Sequence, residues 1–274
     1  MTGIRKWPFR LKETVWAGER IDRLWGGNHI GEAYLFADSE EFLRQQGIFV
    51  AQGGAPLIKY IDVGSPLSVQ VHPGGDRGKD ELWIVDEVRE DAAVYIGFLH
   101  NTSDEMILDS CNRGTILSLM RRYPVEKGNI FWIPGGTIHC AEGFSFFEVQ
   151  NERDVTYRLY DHGRNRNLQQ REALSVLDKK AVLPFLVRKT EQEIGELLPF
   201  QCVLCRDEND IFENAATPCI YTMLSEKASF CGAEISLGTS FFVPENTFVY
   251  GKGAYLKIEW KSLCEKGEIQ RITL

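Results

Sequence analysis

Along most of the chain apolar and polar residues alternate with a period of two, the spacing of a strand with one buried face. The stretches "APLIKYIDVG", "LSVQVH", "ELWIVDEV", "AAVYIGFL", "NIFWIPG", "FSFFEVQ" and "TYRLYDHG" follow one another with turn residues between them. That succession predicts a β-sandwich or barrel. Helical spacing is confined to "SEEFLRQQG", to "SDEMILDSCNR" and "GTILSLMRRY" near residues 103 to 123, and to "QQREALSVLDKKA". After "LPFLVRK" short strands resume in "FQCVLCRDE", "IYTMLSEK", "ASFCGAEISL", "TSFFVPEN" and "AYLKIEWK". The expected organisation is a mainly β chain with few helices: a larger domain over residues 1–184 and a smaller β domain over 185–274.

In "LSVQVHP" the apolar anchors Leu67, Val69 and Val71 alternate with Ser68, Gln70 and His72, so an amide and an imidazole share one face of a strand that Pro73 ends. Glu81 follows nine residues after His72. In "GNIFWIPGGTIHC" five residues separate Gly128 from Pro134, and Gly136 and His139 follow. The proline ends strand pairing, and the glycines permit a tight turn that returns His139 to the mouth of a barrel. This second spacing is similar to one half of the cupin signature, and Gln70, His72 and Glu81 resemble the other half. Two imidazoles and a carboxylate suit Zn²⁺ in an open catalytic site, and Fe²⁺, Mn²⁺ or Co²⁺ fit the same atoms. Gln70 either ligates through its amide oxygen or hydrogen-bonds a bound water.

Composition narrows the partners. With 274 residues, 43% apolar and 26% charged, the chain has the make-up of a globular protein with a substantial core. A net charge of -8 argues against nucleic acid as a partner. No stretch approaches a membrane span, and "MTGIRKWPFRLKETVW" lacks an apolar run of signal-peptide length, so a cytoplasmic protein is expected. Seven scattered cysteines suit a reducing compartment. In the one C-x-x-C, Cys202 and Cys205 fall on opposite faces of a strand, which favours buried thiols over a metal or redox pair.

"FFEVQNERDVTYRLYDHGR" adds charge of the kind that phosphorylated sugars need. Glu148 and Gln150 share a face, Thr156, Arg158 and Tyr160 form another row, and Arg164 follows a turn. Arginine matches phosphate bidentately and stabilises enediolate charge. The alternatives are a surface salt bridge from Arg158 to Asp154 or Asp161 and a solvated strand position for Glu148.

From "LKETVWAGERIDRLWGG" and "IGEAYLF" through "PLIKYIDVGSPLSVQVHP", "GKDELWIVD", "GNIFWIPGGTIH" and "FEVQNERDVTYRLYDHGR", the chain resembles the type I phosphomannose isomerase family in its short, two-β-domain bacterial form. The resemblance implies a cupin-type double-stranded β-helix (jelly roll) followed by a smaller C-terminal β-sandwich or cupin-like domain. It implies one Zn²⁺ held by Gln70, His72, Glu81 and His139, and a sugar-phosphate pocket lined by Lys59, Ser68, Lys79, Glu148, Arg158 and Arg164. The implied reaction interconverts mannose 6-phosphate and fructose 6-phosphate through an enediolate, in a monomer or homodimer. Lys79, Glu148 and Arg158 are expected to act on the reacting atoms, and Lys59, Ser68 and Arg164 to hold the sugar or its phosphate. Glu148 leads as base, with a metal-bound water or a lysine as alternatives.

Departures from the family are visible too. Only "GGDRG" separates Pro73 from Lys79, His162 stands where the short forms commonly carry Trp, and the helical insertion of the large enzymes is missing. The shortened connection leads us to expect an open pocket with relaxed selectivity among aldose phosphates. A cupin oxygenase and a non-catalytic sugar-binding or regulatory cupin are the competing classes. The oxygenase would not need Lys59, Lys79, Arg158 and Arg164 around the pocket, whereas the sugar-binding cupin would keep the cradle and lose turnover, against which the intact Lys79, Glu81, Glu148 and Arg158 argue.

Overall fold

The computed structural model describes residues 3–50, 53–75, 78–153, 155–180, 200–205 and 210–260. The chain divides into two compact units: Pro8–Lys189, and Met1–Trp7 together with Thr190–Leu274. The boundary expected at 184/185 lies outside the described residues. Strand β1 (Arg5–Lys6) pairs with Ser240–Val243, so the described start of the chain is a strand of the C-terminal unit.

The first unit is built on one sheet of nine strands: β2 (Arg10–Glu13), β3 (Ile30–Phe36), β4 (Pro56–Asp62), β5 (Val69–Val71), β6 (Glu81–Phe98), β7 (Met120–Pro124), β8 (Ile130–Ile133), β9 (His139–Asn151) and β10 (Tyr157–Tyr160). The order β10-β5-β9-β4-β3-β2 forms one wall, and β6 adds β7 and β8 while pairing with β9. Alternation explains the burial: Val69 and Val71 are fully buried in the apolar core with Val94, Ile96, Phe98 and Phe144. Each such side chain contributes about 1.5–3 kcal/mol when removed from water. The opposite face of β5 carries Gln70, with Ser68 and His72 in the flanking positions.

Two elements differ from the sequence expectation. "ELWIVDEV" and "AAVYIGFL" are halves of one strand, β6, joined through an irregularity between Val88 and Ala93 where Asp91 adopts a positive φ of 62°. "GTILSLMRRY" is not a helix: a 3₁₀ turn at Ile116–Leu119 runs straight into β7. Its apolar spacing served one helical turn, after which pairing with β6 took over. The other three helical stretches hold, as α2 (Glu40–Gln45), α3 (Asp104–Asn112) and α4 (Gln170–Val176), and α1 (Arg20–Trp25) is a further short helix outside those stretches. In α3 the Ser103 hydroxyl caps the Met106 N–H, and Ile107 and Cys111 bury one face.

The second unit contains β11 (Gln201–Cys205), β12 (Asp210–Ala215), β13 (Cys219–Met223), β14 (Ala228–Phe230), β15 (Ala233–Ile235), β16 (Ser240–Val243), β17 (Thr247–Lys252) and β18 (Tyr255–Glu259). They form the sheets β1-β16-β13-β18-β11 and β12-β17-β14-β15. Side chains from both, among them Ile211, Tyr221, Phe230, Phe241 and Val249, share one apolar core. Among the described residues no helix is long and apolar enough to cross a membrane.

Candidate active site and metal centre

Strand register assembles the site. Gln70 lies opposite His139 across β5 and β9, and Arg158 lies opposite Gln70 across β10 and β5. Lys59 lies opposite Glu148 across β4 and β9, and Trp83 of β6 flanks Glu148 on the other side. Residues directly opposite point to the same face of a sheet, so these pairings converge on one side of it.

The turn before β9 fixes His139. Gly136 donates from its N–H to the His72 carbonyl at 2.7 Å, and Gly135 donates to the Asp80 carboxylate at 2.7 Å. Gly136 adopts a φ of 87°, which favours glycine. At Gly135 a Cβ would fall on the Pro73 carbonyl. The expected role of the two glycines is therefore realised as a direct seam between the turn and the β5–β6 connection. His139 itself opens β9.

Among the described residues, one group of His, Cys, Asp or Glu side chains is close enough to hold a metal: His72, Glu81 and His139, whose ligand atoms all lie within 4.8 Å of one another. All three are buried. His72 Nδ1 is 2.8 Å from the Val155 carbonyl and His139 Nδ1 is 2.9 Å from the Thr137 carbonyl, so both rings are assigned with the proton on Nδ1. Both Nε2 lone pairs then face Glu81, at 3.0 Å from Oε1 for His72 and 3.6 Å from Oε2 for His139. Burial lowers both imidazoles, His139 to about 4, which keeps them neutral. Although burial works against its charge, Glu81 is held well below the usual carboxylate range by Lys79 and His72. His72 Nε2 has no hydrogen-bond partner. Two ring lone pairs and a carboxylate within 4.8 Å of one another form a set of three acceptors, which fits a divalent cation. The C-x-x-C pair contributes nothing of the kind: Cys202 is buried and Cys205 half-buried on β11.

Beside the triad lies a cavity of about 280 Å³. Lys59, Ser68, Gln70, Lys79, Glu81, Glu148 and Arg158 line it. Lys79 Nζ is 2.7 Å from Glu81 Oε1, and Trp83 Nε1 donates to Glu81 Oε2 at 3.1 Å. Lys59 Nζ lies 4.0 Å from Glu148 and 3.6 Å from Glu32. Burial opposes the Lys59 charge, but Glu148 and then Glu32 raise its pKa above the ordinary lysine value. Burial and the nearby Glu81 charge push Glu148 up to about 8. At 6% exposure Glu148 is not a solvated strand position. Ser68 donates to Gln70 Oε1 at 3.1 Å.

Arg164 does not line this cavity. Its guanidinium bonds the Pro66 carbonyl at 2.7 Å and Asp161 at 2.8 Å. Of the carboxylates weighed for Arg158, Asp154 lies outside the described residues, and Asp161 is bonded by Arg164 and Arg166. His162 bonds the Leu67 carbonyl through Nε2 at 2.8 Å. The sequence reading passed over Lys12, Glu32, Trp83 and Arg166, all of which line the cavity. Only Trp83, two residues from Glu81 on the same strand face, carried a local signal.

No family model matches the sequence. The chain is 30% identical over 176 residues to a probable mannose-6-phosphate isomerase of Bacillus subtilis strain 168, covering 61% of this chain and 51% of that protein. It is 32% identical over 166 residues to a second mannose-6-phosphate isomerase of that strain, covering 54% of this chain and 52% of that protein. The chain thus spans about half the length of the curated relatives it matches. Among solved structures, the mannose 6-phosphate isomerase of Bacillus subtilis superposes with a TM-score of 0.80 at 20% identity, over 94% of this chain and 99% of that one. A mannose 6-phosphate isomerase bound with zinc and yttrium gives a TM-score of 0.65 at 11% identity, over 94% and 100% of the two chains. The chain is similar in sequence to mannose-6-phosphate isomerases and has the cupin-like, mainly β fold of the phosphomannose isomerases.

Proposed function

We propose that the chain interconverts mannose 6-phosphate and fructose 6-phosphate by moving a proton between C1 and C2, with Zn²⁺ held by His72, Glu81 and His139 and with Gln70 beside them. The observation that carries this reading is the cavity in which Glu81, the carboxylate of the His72–Glu81–His139 triad, stands with Lys59, Lys79, Glu148 and Arg158. A bound divalent metal supplies Lewis acidity to the sugar oxygens.

The remaining work falls to side chains. Glu148 takes the proton from one carbon and returns it to the other, which needs a carboxylate on the wall of the cavity beside the reacting carbons. Lys79 and Arg158 place positive charge where the enediolate oxygens develop. Lys59, paired with Glu148 and Glu32, orients the carboxylate and binds a sugar hydroxyl, as does Ser68. The buried walls hold water away from the intermediate.

The test is a coupled assay of the zinc-loaded full chain with mannose 6-phosphate and a panel of other aldose phosphates. Turnover of mannose 6-phosphate is expected. Activity on none of them overturns the reading, and oxygen consumption with an iron-loaded sample instead would point to an oxygenase.

A further inference from the structure

The cations around the cavity are not equivalent. Lys12 faces Glu32 at 3.4 Å, Lys59 faces Glu148 and Glu32, and Lys79 faces Glu81, and all of these carboxylates line the same cavity. Each of these lysines is turned to a carboxyl group on the cavity wall itself. Arg166 is different. Its partner is Asp161, a residue 2% exposed that does not line the cavity. Asp161 receives Arg166 Nε at 2.7 Å and Nη2 at 2.5 Å, and it also receives Arg164 Nη2 at 2.8 Å. Two guanidinium groups on one carboxylate leave this corner with a surplus positive charge. Although burial opposes it, Arg166 and Arg164 hold the Asp161 carboxyl below its ordinary range, so the surplus stands at neutral pH.

The geometry at Arg166 is suited to an oxyanion. Its Nε edge is fixed by Asp161, and Nη1 has no part in that clamp, while the residue itself lines the cavity. Arg164 cannot take the same role in this arrangement, because its Nη2 and Nε groups are tied to Asp161 and to the Pro66 carbonyl and it lies off the cavity wall. Position along the sheet agrees. Arg158 pairs with Gln70 and Tyr160 with Val69, so Asp161 and its arginines stand toward the Pro66–Leu67 end of the strand whose other end carries His72. From Gln70 back to Pro66–Ser68 is two to four residues, about 7–13 Å at roughly 3.3 Å per residue. That separation accommodates an extended six-carbon sugar with its terminal phosphate at one end and its reacting carbons at the metal.

We propose that Arg166, braced against the buried Asp161, is the residue that anchors the substrate's phosphate, and that Arg164 is a positioning residue which acts through Asp161. The inference rests on the isomerase reading and sharpens it: the arginine that follows Arg164 by two, not Arg164 itself, meets the phosphate. An anchor remote from the reacting carbons contributes to binding of substrate and transition state alike, so its loss appears in KM more than in kcat.

The experiment measures steady-state kinetics of the zinc-loaded full chain with mannose 6-phosphate, and inhibition by inorganic phosphate, for wild type, Arg166→Ala, Arg166→Gln and Asp161→Asn. Arg166→Ala is expected to raise KM at least about 30-fold and the phosphate inhibition constant by a similar factor, with kcat changed less than about threefold. Arg166→Gln keeps the aliphatic stem and a polar end without the charge and should behave like Ala, which separates charge from folding. Asp161→Asn should give an intermediate rise in both constants. If wild type turns over mannose 6-phosphate and both Arg166 variants keep its KM and phosphate inhibition, the anchor assignment falls and the isomerase reading stands. A wild-type protein that neither binds nor turns over any sugar phosphate removes both.

Discussion

Gln70 stands directly opposite His139, and its amide nitrogen lies 3.2 Å from His139 Nε2 while its oxygen accepts from Ser68. With His139 protonated on Nδ1, the amide donates to the ring. Turning that amide by half a rotation would instead present its oxygen beside the two imidazoles and Glu81. We expect Gln70→Leu to weaken zinc binding about tenfold, within the range for residues that adjust a metal site. Competition against a chelating dye measures it, and an unchanged affinity would place Gln70 outside the ligand set.

Removing a member of the triad should be more severe. His139→Ala, like His72→Ala or Glu81→Ala, is expected to lose bound metal on dialysis and to lose turnover, with the β core intact by circular dichroism. Full zinc occupancy of His139→Ala by elemental analysis would sink the assignment.

Glu148→Gln preserves shape and removes the proposed base. A fall in kcat of about 100-fold or more is expected, with KM for mannose 6-phosphate nearly constant. Arg158→Ala and Lys79→Ala should also lower kcat about 100-fold, if, as proposed, the two cations stabilise charge that develops on the way to the enediolate. A pure rise in KM for either would make it a binding group.

The seam at Gly135 predicts a structural effect with a functional readout. A methyl group there meets the Pro73 carbonyl, so Gly135→Ala should cost about 1–3 kcal/mol of stability, as overpacking does. Because the same turn holds His139 near His72, zinc affinity should fall with it. Urea denaturation and metal titration of one sample check both, and a stable variant with full affinity would contradict the seam's role.

The short connection between Pro73 and Lys79 bears on selectivity. Gly78 bonds Gly75 at 2.7 Å and Lys79 bonds Pro73 at 2.9 Å, so the path back to the strand is tight. Relaxed discrimination is expected: kcat/KM for mannose 6-phosphate should exceed that for aldose phosphates altered at C3, C4 or chain length by less than about a thousandfold, roughly 4 kcal/mol. A larger ratio in a competition assay would refute it.

Local spacing exposed the residues whose chemistry and strand position coincide. Gln70, His72, Glu81 and His139 sit in two short stretches with telling intervals, and the structure gathers the two imidazoles and the carboxylate. Lys59 and Glu148 carried no such interval. They meet because β4 pairs with β9 in one register, a fact spread over distant segments. Lys12 and Glu32 enter through the β2–β3 pairing in the same way. Arg166 was invisible because its place depends on a buried aspartate in an irregular stretch after β10. Strand β6 reads as two strands because the polar "RED" separates "ELWIVDEV" from "AAVYIGFL", whereas the chain absorbs those residues in an irregularity between Val88 and Ala93. "GTILSLMRRY" misled because a brief helical repeat cannot be distinguished from a 3₁₀ turn entering a strand.

Strand β9 pairs with β4, β5 and β6, and it carries His139 at its start and Glu148 near its end. Each of those pairings joins segments far apart in the sequence, so much loop-closure entropy must be spent before the sheet rewards it. A metal ion at the triad would therefore add little to the early stages of folding, since no short fragment presents His72 and His139 together. A nascent chain released before residue 139 would lack the central strand as well as the second histidine, and would expose the unpaired edges of β4 and β5 to aggregation. Capture of a metal by this triad would be a late event that reports on completed topology, unlike the small domains in which the ion itself organises the chain.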